Sequence, residues 1–199
     1  MKKLCRVCWV VVFSLLCLAE IAGAEVQSFQ LDGITVGLNV PEHWLAEKDK
    51  PGPALIVGGP EGKEGRAVVI FNPINAVDGG AEQQDAEVLA GRLRKEIEEG
   101  FGVALDGPLL LQPYRKLRLP GADSGFAFGY RFELVGREIV GDAYYQACKG
   151  ILFQINTLFP ARNSAEEVSK MQSVLDSFTC RREEGLASPE DVSIESLKR

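Results

Sequence analysis

The sequence predicts an α+β fold built on an antiparallel β-sheet, and three observations support this class. Five large apolar side chains alternate along residues 126–134, a second strand is expected at 139–148, and apolar side chains alternate again at 151–159. Short glycine-containing turns separate these segments, which is typical of an antiparallel meander. Apolar residues at helical spacing occupy 81–101 and 164–178, so we expect helices beside the sheet.

Residues 1–24 have the features of a secretory signal peptide. A basic start precedes an uncharged run at 7–19, which is shorter than the roughly 20 apolar residues that span a bilayer. The small residues at 22–24 (Ala-Gly-Ala) predict cleavage before Glu25. An uncleaved anchor is the alternative, which the short run and Glu20 disfavour. We therefore expect a periplasmic or secreted protein with no stable membrane insertion after cleavage.

The charge of the mature chain limits its partners. Without residues 1–24, the chain has 19 Lys and Arg against 27 Asp and Glu, a net charge of −8. A negative surface repels polyphosphates and anionic lipid headgroups. We therefore expect neither nucleic acid nor a membrane surface as a partner.

Two hairpins are predicted at the start of the domain. In the first, an Asp-Gly dipeptide at 32–33, suited to the positive φ angles of a two-residue turn, precedes an alternating strand at 34–40. In the second, apolar runs at 54–57 and 67–71 flank a polar, glycine-rich tip. Pro73 is expected to end the later strand, because proline donates no hydrogen bond to a strand ladder.

A helix, an edge strand and an aromatic strand follow in turn. The helix begins near residue 81, extends for about five turns and ends at Gly100 and Gly102. Pro113 interrupts the strand at 109–119, which predicts that this strand lies at a sheet edge or contains a bulge. The aromatic strand at 126–134 is predicted to be the centre of the core, since burial of each large side chain contributes about 1.5 to 3 kcal/mol.

Cys148 and Cys180 are the two cysteines that remain after signal cleavage, and an oxidising compartment favours a bond between them. The strand at 151–159 leads away from Cys148 by about 30 Å. The helix at 164–178, which starts with a capping-box sequence, leads back by about 22 Å. We therefore predict a disulfide bond, with two buried free thiols as the alternative.

The predicted domain covers residues 25–180, and residues 181–199 are predicted to form a flexible charged tail. This tail has isolated apolar residues among charges and no periodic apolar face. A partner-binding helix from Pro189 onward is the alternative.

The sequence contains no catalytic, cofactor-binding or metal-binding set that we can identify. His43 is the only imidazole, and its place beside Trp44 favours a surface turn residue over a general base. The glycine-rich stretch at 58–64 lacks the spacing and the Ser or Thr of a phosphate-binding loop. One histidine and two cysteines that can pair with each other leave too few ligands for an ordinary zinc site.

One polar cluster remains on the predicted meander. Cross-strand ion pairs on a solvated face are the simplest interpretation, each worth less than about 1 kcal/mol. A partner-binding patch is the functional interpretation, because tyrosines supply the rigid aromatic surface that binding sites favour. The cluster consists of Arg131, Glu133, Arg137, Glu138, Asp142, Tyr144 and Tyr145.

Several short motifs accompany this order of elements: LNVPEHW at 38–44, AYY at 143–145, GILFQINT at 150–157 and LDSF at 175–178. With these motifs and this order of elements, the chain resembles the PsbP-like family, which includes extrinsic photosystem II proteins and bacterial envelope proteins of the DcrB type. The resemblance covers residues 27–180. It implies an α/β/α sandwich and a function in docking to other proteins, and it assigns no functional residues.

We therefore expect an exported, non-catalytic accessory domain that binds another envelope protein through a sheet face or a loop. A small-ligand-binding protein, or a hydrolase that uses Glu133 and Glu138 with Tyr144, is the alternative from another class. A cavity lined by these groups, with a carboxyl pKa raised by burial, would favour that alternative. An immunity or chaperone-like partner of a toxin is the third possibility.

Overall fold

The computed structural model describes residues 25–48, 54–62, 65–76 and 85–182. The predicted signal peptide and residues 183–199 of the predicted tail lie outside these ranges. In the described part, the strands are β1 (Glu25–Leu31), β2 (Ile34–Val40), β3 (Leu45–Lys48), β4 (Leu55–Gly58), β5 (Val68–Ala76), β6 (Leu110–Leu111), β7 (Arg115–Lys116), β8 (Ser124–Leu134), β9 (Arg137–Cys148), β10 (Ile151–Pro160) and β11 (Thr179–Arg182). The helices are α1 (Ala86–Phe101) and α2 (Ala165–Asp176).

The strands form two antiparallel sheets. The small sheet has the order β1-β2-β11, and the large sheet has the order β3-β4-β5-β10-β9-β8-β6, with β7 also paired to β8. The predicted α+β class and the predicted meander of β8, β9 and β10 are confirmed. The separate small sheet was not predicted, because alternation within a strand does not reveal which strand it pairs with.

Two-residue turns connect three of the hairpins. Positive φ angles occur at both positions of the turns at 32–33, 135–136 and 149–150, and glycine is the second residue of each. This geometry twists in the same sense as the strands that it joins. The predicted turns are therefore confirmed.

Each face of the large sheet has its own apolar core. On one face, Leu89, Leu93 and Ile97 of α1 pack in a cluster with the aromatic row of β8. On the other face, the small sheet and α2 pack on β4, β5, β9 and β10, and this core includes Ala127 of β8. The aromatic row of β8 is buried under α1 in the first of these cores, as predicted, although β8 lies next to the sheet edge and β9 and β10 are the central strands.

Side-chain caps fix the start of both helices. The Asp85 carboxylate accepts hydrogen bonds from the backbone N–H groups of Glu87 and Val88 at 2.8 and 3.3 Å. The Ser164 hydroxyl accepts one from the N–H of Glu167 at 3.2 Å. These bonds satisfy N–H groups that have no partner within the helix. The predicted start of the first helix at 81–84 lies outside the described residues.

Proline has different effects at two positions. Pro113 separates β6 from β7 at the sheet edge, as predicted. Pro73 does not end β5, which continues to Ala76. Pro73 lies beyond the part of β5 that pairs with β4, and a register shift occurs at its position opposite β10. Its missing N–H therefore removes no bond to β4.

The disulfide joins the two sheets. Cys148 ends β9 of the large sheet, and Cys180 lies in β11 of the small sheet, with 6.4 Å between their Cα atoms and the sulfurs at bonding distance. The strand β11 was missed because only Cys180 of its four residues is buried. It extends the folded region to Arg182, two residues past the predicted boundary.

Candidate functional site

An open cleft of about 510 Å³ that carries charged groups lies at the end of the β8–β9 hairpin. Its floor comes from β8 and β9, one wall from residues 106–110 and the other from residues 160–162. Six ionisable side chains line it, three basic and three acidic: Asp106, Arg131, Glu133, Arg137, Glu138 and Arg162. We call this cavity the hairpin cleft.

Backbone hydrogen bonds hold both walls of the hairpin cleft. The N–H of Asp106 donates to the carbonyl of Glu133 at 3.0 Å, and the Asp106 carboxylate accepts from the N–H of Gly136 at 2.6 Å. On the opposite side, the N–H of Ala161 donates to the carbonyl of Glu138 at 2.9 Å. The cleft is therefore a fixed feature of the fold rather than a gap between independent loops.

The register of the β8–β9 hairpin places the residues of the predicted patch on both faces of the large sheet. Glu133 lies directly opposite Glu138, and Asp142 lies opposite Gly129. The side chains of Glu133, Glu138 and Asp142 therefore share the face that carries Arg131 and Tyr144. Arg137 lies on the other face, opposite Leu134. The structure therefore brings together only part of the predicted patch.

Asp142 is the centre of a small polar network on this face. It pairs with Arg115 at 2.7 Å, and the Tyr144 hydroxyl donates to it at 3.3 Å. Burial, together with the negative charge of Asp142, raises the pKa of Tyr144 above its ordinary value. The hydroxyl is therefore a protonated donor, and Tyr144 does not line the hairpin cleft.

The two tyrosines of the predicted patch are buried. Tyr144 is 5% exposed and Tyr145 is 0% exposed. Tyr145 lies under α1, where its hydroxyl donates to the carbonyl of Leu89 at 3.3 Å, and burial raises its pKa. The prediction that they supply exposed aromatic surface is wrong, because alternation along β9 directs them into the cores of the two sheet faces.

The charges of the cleft are only partly compensated. Arg131 pairs with Glu138 at 3.2 Å. Within the described ranges, Glu133, Arg137 and Arg162 are exposed and form no ion pair. Sequence reasoning missed Asp106 and Arg162, because each is more than 20 residues away along the chain from the hairpin residues that it joins in space.

Other candidate sites have little support. His43 is exposed, has a φ of 66° and lies 3.5 Å from Glu42 in a turn. Among the described residues, no group of three or more His, Cys, Asp or Glu side chains is placed to hold a metal ion. In the same part of the chain, neither helix has the length and apolar content that crossing a bilayer requires.

Comparison with known proteins gives a likeness of fold. No model of a known family matches the sequence, and no curated protein does either. The solution structure of cyanobacterial PsbP (CyanoP) from Synechocystis sp. aligns with a TM-score of 0.59 and 15% identity over 82% of this chain and 95% of the PsbP chain. The chain has the PsbP-like fold. At this identity the likeness concerns fold alone, since one fold carries many functions.

Two other structures with lower similarity also align with this PsbP-like chain. PA94 from Pseudomonas aeruginosa, a protein of unknown function, has 12% identity and a TM-score of 0.46 over 77% of this chain and 95% of its own. LpqN from Mycobacterium tuberculosis, involved in cell envelope biogenesis, has 13% identity and a TM-score of 0.49 over 78% and 91%. Neither adds to the assignment of function.

Proposed function

We propose that the chain is an exported, non-catalytic accessory domain that docks to another protein of the cell envelope through the hairpin cleft. The observation that carries this proposal is the cleft itself, which presents uncompensated charges on a part of the hairpin whose backbone is held in place. A preformed site loses less entropy on binding than one that must be ordered by its partner. Docking therefore needs no rearrangement of the fold.

Export is supported by two independent features. The amino-terminal sequence has the pattern of a cleaved signal peptide, and the buried pair Cys148 and Cys180 is placed as a disulfide. Structural disulfides persist in oxidising compartments and are rare in the cytosol of most organisms. A periplasmic or secreted location follows from this proposal.

A small-ligand site is the second candidate, because the cleft volume lies within the range of about 300 to 1,000 Å³ that is usual for such sites. Six of its thirteen lining residues are charged, however, whereas ligand pockets are mainly apolar with a few polar groups. A hydrolase based on Glu133, Glu138 and Tyr144 has less support, since both glutamates are exposed and Tyr144 lies outside the cleft. A toxin would bind through the same charged cleft, and only the identity of the bound protein would differ from the first candidate.

Affinity capture tests this function. We expect the purified protein to capture a specific protein from the envelope fraction of the cells that produce it. Arg162→Glu should lower recovery about tenfold or more, because a reversed charge at a docking site costs more than about 1.4 kcal/mol. Arg181→Glu is the matched control, since Arg181 is an exposed arginine of β11 at the disulfide end, and we expect its recovery to equal that of the wild type.

Two results would contradict the proposed function. One is equal recovery of the captured protein by wild type and Arg162→Glu, with both variants folded by circular dichroism. The other is the absence of any specifically captured protein with wild type. The identity of the captured protein distinguishes an envelope component from a toxin.

A further inference from the structure

A second cavity lies at the same end of the hairpin, on the face opposite Glu133 and Glu138. It measures about 250 Å³, and its apolar wall consists of Phe101, Phe132, Leu134, Ile139 and Leu158. We call it the apolar hollow. It lies beside the end of α1 at Phe101, whose ring packs on that of Phe132 with 5.3 Å between the ring centroids.

The size of the apolar hollow indicates the kind of group that it can hold. Sites for drug-sized molecules usually measure about 300 to 1,000 Å³, so the hollow is small for such a ligand. Phe101, Leu134, Ile139 and Leu158 are each half-buried, and they therefore retain apolar surface to bury. Covering this surface with one bulky apolar side chain is favourable by about 1.5 to 3 kcal/mol.

The charged residues that line the apolar hollow indicate which residues flank the bound apolar side chain. Arg66 and Arg137 line the hollow, and none of the described residues that line it carries a carboxylate. Neither arginine forms an ion pair with any residue in the described part of the chain. The chain has a net charge of −6, yet two guanidinium groups without an ion pair among the described residues lie beside this apolar wall. They are complementary to carboxylates that flank an apolar residue.

The two cavities adjoin. Phe132, Arg137 and Pro160 line both the hairpin cleft and the apolar hollow. A single extended segment can therefore contact both, with Arg137 between them and Arg162 on the far side. This arrangement makes the end of the β8–β9 hairpin one continuous surface.

We propose that the apolar hollow binds an acidic segment of the docking partner, with one bulky apolar side chain in the hollow and flanking carboxylates on Arg66 and Arg137. This assignment rests on the proposed function, and it adds the chemistry of the partner. The guanidinium groups and carboxylates form charge-assisted hydrogen bonds, which are stronger than neutral ones. Because the arginines are exposed, binding weakens as the salt concentration rises.

A peptide titration followed by NMR tests this assignment on the mature chain labelled with ¹⁵N. The probe is acetyl-Glu-Asp-Leu-Phe-Asp-Glu-amide. One control peptide replaces its four acidic residues by Lys and Arg, and a second replaces Leu-Phe by Ser-Ser. We expect the probe to shift amide signals at 101, 132–139 and 158, and each control peptide to bind about tenfold more weakly or worse, since either loss exceeds about 1.4 kcal/mol.

Matched variants distinguish binding at the apolar hollow from nonspecific electrostatic attraction of the probe peptide. Arg137→Glu should weaken probe binding about tenfold or more, and Arg181→Glu should leave it unchanged. Shifts at another surface, equal binding of the basic peptide, or no shift at millimolar probe would overturn the assignment. Tighter binding at the hollow by a peptide of residues 183–199, in which carboxylates also flank apolar residues, would overturn it in favour of the chain's own terminus.

Failure of this assignment and failure of the proposed function give different results. If the peptide assay fails while Arg162→Glu still lowers capture about tenfold or more, the cleft is the docking site and the acidic-segment assignment is wrong. If the probe binds as expected while Arg162→Glu leaves capture unchanged, the proposed docking through the cleft is wrong.

Discussion

The Cys148→Ser, Cys180→Ser double variant is expected to lose about 3 to 4 kcal/mol of unfolding free energy, because the bond closes a long loop and restricts the unfolded chain. The two cysteines are separated by 32 positions. In the folded protein, the bond joins the large sheet to the small sheet. Both side chains are at least nine-tenths buried, so reduction of the folded protein should be slow.

Urea unfolding of the oxidised wild type and the double variant measures this loss, with equal slopes required for a valid comparison. Wild type unfolded in the presence of a reductant is the control, and its stability should match that of the variant. Intact mass with and without reductant shows whether the bond is present before unfolding. A loss below about 1 kcal/mol would contradict the expected constraint on the unfolded chain.

Gly141→Ala is expected to destabilise the fold by about 3 kcal/mol or more, because overpacking at a rigid site forces the backbone to move. A Cβ at this position would overlap the backbone carbonyl oxygen of Thr157 and lie 2.8 Å from the Tyr130 ring. The Tyr130 hydroxyl donates to that same carbonyl at 2.6 Å. Neither neighbour can withdraw without loss of a buried hydrogen bond.

Gly91→Ala is the matched control for this substitution. Gly91 lies on the exposed side of α1, and a Cβ there would have no other heavy atom within 4 Å. Alanine in an exposed helix interior is more favourable than glycine by about 1 kcal/mol. The midpoint of thermal or urea unfolding should therefore fall for Gly141→Ala and rise for Gly91→Ala. A Gly141→Ala protein as stable as the wild type would contradict the described packing of the Tyr130 side chain across Gly141 onto the Thr157 carbonyl.

Local patterns predicted those parts of the fold whose geometry is set by neighbouring residues. The turns at 32–33, 135–136 and 149–150 could be predicted because each ends in glycine, which takes a positive φ without strain. The alternation along β8 fixed which of its side chains share a face. The short strands β3 and β11 could not be predicted, because four residues with few buried side chains carry no periodic signal.

The site was less predictable than the fold, for a physical reason. Arg131, Glu133, Arg137 and Glu138 belong to one hairpin, so their proximity follows from the turn between them. The remaining walls come from the segment after α1 and the turn after β10, and only tertiary packing brings these to the hairpin. Tyr144 and Tyr145 were misjudged because β8 and β9 are covered on both faces, whereas alternation alone suggested one solvated face.

The central claim is that the end of the β8–β9 hairpin docks a partner, and photocrosslinking in the cells that produce the protein tests it most directly. A photoreactive phenylalanine at Leu110, which lines the cleft and is 56% exposed, is compared with one at Val26 of β1, which is 71% exposed. We predict a discrete adduct with one protein from position 110 and none from position 26. Adducts from position 26 alone, or none from position 110, would contradict docking at the hairpin.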